Sequence, residues 1–572
     1  MPNPSVKLTI LDGALGILPP SIDQAHLKIG VASAGTTNTV AAYADVTAMR
    51  TALGNGPLVE SIASALVTPT QGQAPSPIYG MRILTASTGA AGAVTVTRVA
   101  SSTGTVATTG SSPVDSYEVR VKIATAGLRG VGTFQLSFDG GLTYAAAVTI
   151  PSGGTYADSA SGVTVVFDTG TFDAGDLFSF ATTEPQPTAA EIATALDAAL
   201  ANTIEWSLVH IVGVPPLEMT AVTSAGTTPP TVTLSGTPNG AHDVRIEITT
   251  GGALATAVFR WSINGGSTWT STVTTAASVV LTGSGLTAAF AAGTYATNNV
   301  YTAHAGKAFR DRLDNASTKM AAAETAFRYA FAIVDAIPTA SDAVNTQATS
   351  TFVSSRVGSV PSSVRVLSPV SNHRYLRPAA WSLVSRIAAT EVHTHPGRVD
   401  NGALADVLVS TRDERLTPGL DDARFGTLRT HLGFVGTYVN RGRLFANTGS
   451  DYQQVMSRRV MDKACRISRT ALMLSMNVDL RTNPANSTVL PGLPGAPGTI
   501  DERDARRVES SVLSKLNDGL IATGNASACS VQLSRVDNII STSTLKLKIR
   551  VQPKAYAEFI EAEVALFNPF TS

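Results

Sequence analysis

The sequence predicts an α+β multidomain protein, a discontinuous α/β core interrupted by two inserted β-sandwich-like repeat domains and carrying β-strand arms at its ends. Three observations lead there. At 572 residues the chain exceeds one core and suggests roughly three to four domains. Charged residues are 15% and aromatics 6%, a balance that favours β-rich, turn-rich domains over long solvated helices. An internal repeat interrupts an α/β pattern, and both chain ends alternate apolar with polar residues.

The N-terminal arm, residues 1–20, holds Val6, Leu8 and Ile10 alternating with Lys7 and Thr9, the period of a half-buried strand. A terminal strand presents unpaired backbone groups, so it pairs within its own domain or with another copy, and the second choice builds an assembly. The first part of the core, 21–100, contains a strand Leu27–Ala32, a helical stretch Leu58–Leu66 and a strand Ile78–Leu84.

The repeat then begins. Glu118–Ile123 matches Asp243–Ile248, the segment FQLSFDGGLTY from Phe134 matches FRWSINGGSTW from Phe259, and GVTVVFDTGTF from Gly162 matches GLTAAFAAGTY from Gly285. Asp-Gly-Gly and Asn-Gly-Gly between alternating apolar runs predict tight hairpin turns, with glycine supplying positive φ. These copies define β insertions at 101–187 and 216–305. Between them, 188–215 returns to the core with a helix Ala189–Leu200 capped near Thr188 and a strand Ser207–Val212. After the second copy a helix Phe309–Phe327 and a strand Tyr329–Asp335 repeat that return.

Residues 306–540 read as a C-terminal core domain. A strand Val364–Leu367 precedes a helix Pro378–Val392, with proline suited to a helix start. Between Val455 and Met476, Val460, Ala464, Ile467, Ala471 and Leu474 form an apolar stripe flanked by Arg459, Lys463, Arg466 and Arg469. Between Asp501 and Leu520, Ala505, Val508, Val512, Leu516 and Leu520 form another, beside Arg503, Arg506 and Arg507, and Gly519 sits where helices commonly stop. The C-terminal strands and arm, 541–572, carry Leu545, Leu547, Ile549 and Val551 alternating with Lys546, Lys548 and Arg550, with no partner strand evident nearby, followed by Ile560 and Val564.

Net charge is zero but unevenly spread: residues 1–305 hold 10 Lys+Arg against 18 Asp+Glu, and 306–572 hold 32 against 24. The basic half suits an acidic partner; acids interspersed within it, and the lack of an aromatic-studded basic groove, argue for a protein surface rather than direct nucleic-acid binding. Cys465 and Cys529 are too few for a disulfide framework or a cysteine metal site. No secretion signal is read at MPNPSVKLT, and no window reaches the ~18 apolar residues of a membrane helix, so no stable membrane association is expected.

Motifs for chemistry are weak. His393 and His395, with Glu391 nearby and Asp421 or Asp422 as a further ligand, could hold zinc, but the pair lies at a helix end before Pro396-Gly397 and reads as a polar loop. Nucleophile-elbow, phosphate-loop and dinucleotide-binding patterns are absent. Asp413-Glu414 and Asp421-Asp422 flank Pro418-Gly419 as loop and cap residues. No enzyme, catalytic residue, cofactor or metal is expected.

Residues 416–469, including LTPGLDDARFGTLRTHLGFVGTYVNRGRLFANTGSDYQQVMSRRVMD, resemble the C-terminal core of contractile bacteriophage tail sheath proteins. A strand pair and turn at Tyr438–Arg443, then Ser450-Asp451, then the helix start Arg458–Asp462 follow that family's order. Tyr556–Ile560 resembles its closing strand, and the FxxSxDGG insertions resemble a subgroup with decorated sheaths. The likeness covers about 308–566.

The resemblance implies a discontinuous sheath core and a structural subunit that polymerises with itself into a helical contractile cylinder of stacked rings. That cylinder surrounds an inner tail tube and drives the tube through the host envelope for genome ejection. Partners would be the tube protein, the baseplate and the tail terminator, in a virion tail assembled in a host bacterial cytoplasm. Inter-subunit strand arms would be Val6, Leu8, Ile10, then Leu545, Leu547, Ile549, Val551 or Ile560 and Val564. The tube would meet Arg503, Arg506 and Arg507 first, with Arg459, Lys463, Arg466 and Arg469 as the alternative. A rival reading is a virion decoration or host-adhesion protein using the repeated β domains. The same sheath in a phage-derived contractile injection system is another.

Overall fold

The computed structural model describes residues 21–67, 77–85, 87–337, 341–558 and 560–562. Val6, Leu8, Ile10 and Val564 lie outside the described residues. The chain divides into two compact units, one running to Glu391 and again over Pro396–Arg458, the other made of Val392–His395 and the chain from Arg459.

A six-stranded sheet organises the first unit, in the order Val40–Tyr43, Ile78–Arg82, His26–Gly30, Leu208–Ile211, Phe331–Asp335, Val357–Val360. Its pairings are parallel except for the edge strand Val40–Tyr43. Strands on both sides of position 306 thus share one sheet, so the core does not divide there. The helices are α1 (Val46–Leu53), α2 (Pro57–Val67), α3 (Ala189–Ala201), α4 (Ala308–Thr325), α5 (Asp342–Thr349) and α6 (Ala380–Ala389).

Period-two alternation assigns the faces of this sheet. Leu27, Ile29, Val209, Ile211, Ala332 and Val334 pack with residues of α3 and α4 such as Leu196, Phe309 and Leu313. On the alternate positions Leu208, Phe331 and Ile333 meet Leu383, Val384 and Ile387 of α6. These alternate positions also carry Lys28, His210 and Asp335, all fully buried. Lys28 Nζ donates to Ser61 Oγ of α2 at 2.7 Å, while Asp335 pairs with His210 Nε2 at 2.9 Å and accepts from Trp381 Nε1 at 3.1 Å. Burial holds the Lys28 ammonium down at about 7.

Local signals set the helix ends. Thr188 and Glu191 form a reciprocal capping box at the start of α3. Pro378 does not open α6; it is the last residue of the strand Arg374–Pro378 and pairs with Ser363, because its missing N–H is tolerated at that position.

The chain leaves the parallel sheet twice. Between Arg82 and Leu208 it builds a sheet around Glu118–Thr125, Thr133–Ser137 and Leu177–Thr183, and a three-stranded sheet of Val106–Ala107, Thr155–Asp158 and Val163–Phe167. Both contribute to one core containing Val121, Phe134, Phe167 and Phe178. Strands Ala90–Ala91 and Thr95–Thr97 pair with Leu177–Thr183, so this excursion begins ahead of position 101. Between Ile211 and Phe331 the second excursion repeats the plan around His242–Thr250, Val258–Ser262 and Val300–Ala305, with Ile246, Phe259 and Phe290 in its core.

The copies agree in detail. Ile123 pairs Phe134 and Ile248 pairs Phe259, and each register slips at the next pair, Thr125–Thr133 and Thr250–Val258. In the first copy Asp139 accepts from Ser137 Oγ at 2.8 Å and from Thr143 N at 2.9 Å; in the second, Asn264 Oδ1 accepts from Ser262 Oγ at 2.8 Å and from Thr268 N at 2.9 Å. Gly140, Gly141, Gly265 and Gly266 do take positive φ. The turns are not tight, however: Phe134 next pairs with Val148, so a wide loop follows, held by the Asp or Asn side chain rather than by a two-residue hairpin.

In the second unit, α7 (Val455–Met473) enters from the end of the first, and α8 (Glu502–Leu516) runs into a π turn Asn517–Ile521. Gly519 therefore does not stop the helix. It lies inside that turn, where an added Cβ would come within 2.5 Å of the terminal Cδ1 of Ile467 on α7, a tip that would have to turn aside. Leu547–Gln552 pairs antiparallel with Ala528–Leu533, joining Ile549 to Val531 and Val551 to Cys529. The reading of 545–551 as a strand without a near partner is corrected, and Leu545 itself precedes the strand.

Candidate assembly surfaces

The apolar stripe of α8 folds as its spacing requires: Ala505, Val508, Val512 and Leu516 are buried. Asp501 caps the helix by accepting from Arg503 N at 2.9 Å. The opposite face carries Arg503, Arg506 and Arg507, all exposed. Acids accompany them. Arg506 pairs with Glu502 at 2.7 Å and Arg507 with Asp504 at 3.4 Å, and Arg535 bridges Glu502 and Glu509. Arg535 and Arg506 hold the Glu502 carboxyl down at about 2. This face is thus a ladder of alternating charges, in which Arg503 alone of the three makes no side-chain ion pair among the described residues.

The cations of α7 are placed differently. Arg459 is only 4% exposed, so it cannot present itself to a partner, which corrects its place among the surface candidates. Lys463 and Arg466 are half-buried and Arg469 is exposed, and each already interacts within the chain. Val460, Ala464 and Ala471 pack in the core as expected, but Leu474 lies beyond the helix end and is 73% exposed, together with Met473 and Met476.

The two-stranded sheet Ala528–Leu533 and Leu547–Gln552 has no further strand on either edge among the described residues. Cys529, Val531, Ile549 and Val551 turn one face toward α7 and α8. Residues 553–558 and 560–562 form no helix or strand; Tyr556 donates to the His393 carbonyl and Ile560 is 84% exposed.

The histidine pair serves this packing. His393 Nδ1 shares a 2.9 Å hydrogen bond with Asn525 Oδ1, and the His395 ring lies 6.0 Å from that of Tyr556. Asp421 is engaged by Arg441 at 2.7 Å and Arg443 at 2.9 Å. Among the described residues no group of three or more His, Cys, Asp or Glu is placed to hold a metal ion. No helix among them is long and apolar enough to cross a membrane.

One surface was not foreseen from sequence. In the first unit, strands Thr427–His431 and Phe434–Arg441 form a hairpin whose tip exposes Leu432 (82%), Phe434 (58%) and Val435 (95%). Gly433 and Gly436, both at positive φ, bracket Phe434-Val435. Glycines around a short apolar run were the signal available, and only exposure separates such a tip from a buried strand.

Comparison with known proteins gives the following. The family model described as DUF2586, N-terminal domain, matches residues 3–229 and 233–443, and that of DUF2586, C-terminal domain, matches 451–571. Among curated proteins none matches. The sheath tail protein Lin1278 from Listeria innocua is 10% identical over 92% of this chain and 92% of its own, with a TM-score of 0.40. A chain of the anti-feeding prophage baseplate is 15% identical over 45% of this chain and 66% of its own, TM-score 0.32. A chain of an extracellular contractile injection system, the PVC sheath complex in its contracted state, is 16% identical over 42% and 64%, TM-score 0.30. The match thus spans just under two thirds of the length of these last two.

Proposed function

The chain belongs to the DUF2586 family, and we propose that it is a structural subunit of a contractile tail sheath, polymerising into a helical cylinder of stacked rings around an inner tube. The observation that carries this reading is the two-stranded sheet Ala528–Leu533 and Leu547–Gln552, neither edge of which pairs with a further strand among the described residues. Because Leu547–Val551 is paired inside its own chain, the arm assignment is rebuilt. That sheet becomes the receiving element, and the donated strands are Val6–Ile10 and the segment containing Ile560 and Val564, each from a neighbouring copy.

Each backbone hydrogen bond gained is worth only about 0.5–1.5 kcal/mol net. Repetition around a cylinder makes such junctions collectively strong. The exposed hairpin tip Leu432–Val435 supports the same reading, since contiguous apolar surface of this kind marks contacts between molecules. The exposed face of α8, with Arg503 foremost, would meet an acidic tube surface, and the alternating charges around it would favour register over raw affinity. In this scheme the extended cylinder is metastable, contraction exchanges weak tube contacts for larger ones between cores, and the paired arms transmit the movement through the envelope. Baseplate and terminator would bound the cylinder.

Electron microscopy of the purified full chain tests the proposal, with hollow, helically striated cylinders as the expected result. Particles that stay dispersed at every concentration would refute it. Deleting residues 1–12 should leave a folded subunit that forms no cylinders; normal cylinders from that variant would overturn the arm assignment alone.

A further inference from the structure

The two antiparallel excursions are copies of one unit, yet they are fastened to the rest of the chain in different ways. The first shares its hydrophobic core with the strand Arg374–Pro378: Tyr375 is a buried member of the cluster formed by Val121, Phe134, Phe167 and Phe178, and its ring lies 5.5 Å from that of Tyr117. Arg377 of the same strand gives both terminal nitrogens to Asp115, at 3.0 and 2.7 Å, and the two side chains are only 3 and 1% exposed. The Asp-Gly-Gly loop is seated as well. Asp139 accepts from Arg374 N at 3.1 Å, Thr143 Oγ1 meets His373 Nδ1 at 2.7 Å, and Glu118 pairs with Arg365 at 2.9 Å.

The repeat puts Asp243, Asn264 and Thr268 at the positions of Glu118, Asp139 and Thr143. Asn264, Ser267 and Thr268 are exposed, and among the described residues the hydrogen bonds of this loop stay inside its own excursion. Asn264 turns its Nδ2 donor onto Thr268 Oγ1 at 2.8 Å, whereas Asp139 Oδ2 accepts from both Thr143 Oγ1 and Arg374 N. An amide nitrogen cannot accept a backbone N–H, so this loop is not seated in the same way. The second hydrophobic core is also closed on itself, every buried member lying within 232–305. What joins this excursion to the rest is small. The chain enters and leaves as a ribbon, Thr220 N donating to the His304 carbonyl at 2.8 Å and Gly306 N to the Glu218 carbonyl at 2.9 Å, and Gly306, at positive φ, turns the chain into α4. Beside this neck Gln347 of α5 takes Ala241 by both backbone groups, accepting from its N–H at 2.6 Å and donating to its carbonyl at 3.1 Å. Ala241 and Leu217 are partly buried against the core. Lys307 Nζ meets Asp243 at 2.8 Å with side chains 25 and 39% exposed, and an ion pair so open to water contributes little.

We propose that the second β excursion is a hinged body that swings on the neck at Glu218 and Gly306 and is held by a releasable clasp, Gln347 on Ala241 and Lys307 on Asp243, while the first excursion moves as part of the core. Opening the clasp uncovers no hydrophobic core, because that core is closed within the excursion, and loses only a few polar contacts that water can replace. Freeing the first excursion would strip Tyr375 from an aromatic cluster and separate a buried ion pair, which is far more costly. A subunit built this way carries one fixed and one movable appendage, whatever assembly it enters.

Distances between spin labels on the full chain test this. Ala321, exposed on α4, serves as the reference and is paired with Ser267 on the second loop or with Leu142 on the first, each replaced by cysteine in a background carrying Cys465→Ala and Cys529→Ala. The distance distribution from Ser267 should be about twice as broad as that from Leu142, or broader. Adding Gln347→Ala and Lys307→Ala should widen the Ser267 distribution further and leave the Leu142 one unchanged. Equal widths with the clasp intact, or no widening when it is removed, would overturn the hinge. If the cysteine-free background does not fold, hydrogen exchange of the unlabelled wild-type chain decides. The Ala241 amide, bonded to Gln347, should then exchange about tenfold faster than the Arg374 amide, bonded to Asp139, after correction for intrinsic rates. Comparable protection at the two amides would overturn the proposal.

Discussion

Replacing Lys28 by methionine tests how the central sheet tolerates a buried charge. The ammonium is fully buried in the strand His26–Gly30 with one hydrogen bond, to Ser61, and its proton affinity is lowered from 10.5 to about 7. Desolvation is the main cause, only partly offset by Asp335 and Asp406. That difference corresponds to roughly 5 kcal/mol of destabilisation carried by the charged form. Because the folded value is depressed for a base, the penalty is complete below about pH 7 and fades as pH approaches 10.5. Wild-type stability should therefore gain about 2–3 kcal/mol between pH 7.5 and 9.5 from this group. Methionine has a similar reach without the charge. It forfeits the Ser61 hydrogen bond, about 1 kcal/mol, and leaves the two aspartates less well compensated. At pH 7 the variant should be more stable by about 1–3 kcal/mol, an advantage that vanishes near pH 9.5. Urea unfolding at several pH values, followed by tryptophan fluorescence, reads this out, since Trp381 donates to Asp335 in the same cluster. The difference between the two proteins removes titrations they share. Parallel stability curves would refute the reasoning.

Four further outcomes are expected. Thr188→Ala removes half of the capping box on α3 and should cost about 1 kcal/mol, measured by denaturant unfolding. Gly519→Ala puts a methyl group where the terminal Cδ1 of Ile467 sits; that tip can turn aside and alanine is the better helix former, so stability should change by no more than about 1 kcal/mol, measured by denaturant unfolding. Reversing Arg503, Arg506 and Arg507 to Glu together should leave the fold intact by circular dichroism and weaken co-assembly around the tube; unchanged co-assembly would move the tube contact elsewhere. Serine at Leu432, Phe434 and Val435 should leave stability within about 0.5 kcal/mol while raising the concentration needed for cylinders, as followed by light scattering.

Much of the candidate surface is legible in the order of the residues. The stripe Ala505, Val508, Val512, Leu516 fixes which side of α8 is buried, and hence that Arg503, Arg506 and Arg507 face outward. That Ala528–Leu533 is a strand is legible as well, since Cys529, Val531 and Leu533 alternate with Ser530 and Gln532, but its pairing with Leu547–Gln552 is not. Alternation marks a strand without saying which strand lies beside it, since pairing across a gap from Leu533 to Leu547 leaves no local mark. Arg459 could not be told from Arg469 by spacing either. Both flank an apolar stripe, and only the surrounding elements decide which of two flanks is covered.

By itself the sequence determined elements with a strong local cause. The 3.6 and 2.0 periods placed α2, α3, α4, α7 and α8 and the strands of the parallel sheet at His26, Ile78, Leu208 and Phe331, Thr188 marked the start of α3, and the duplicated Ser-x-Asp/Asn-Gly-Gly-x-Thr segment foretold two copies of one β unit, though not their wide loops. Tertiary structure decided whatever depends on residues far apart in the chain. It brought Arg377 to Asp115, put Lys28 opposite His210, and laid Gly519 against Ile467. Periodicity is a property of neighbouring residues and is written in their order, whereas desolvation and charge pairing are set by whichever distant segments close over a side chain.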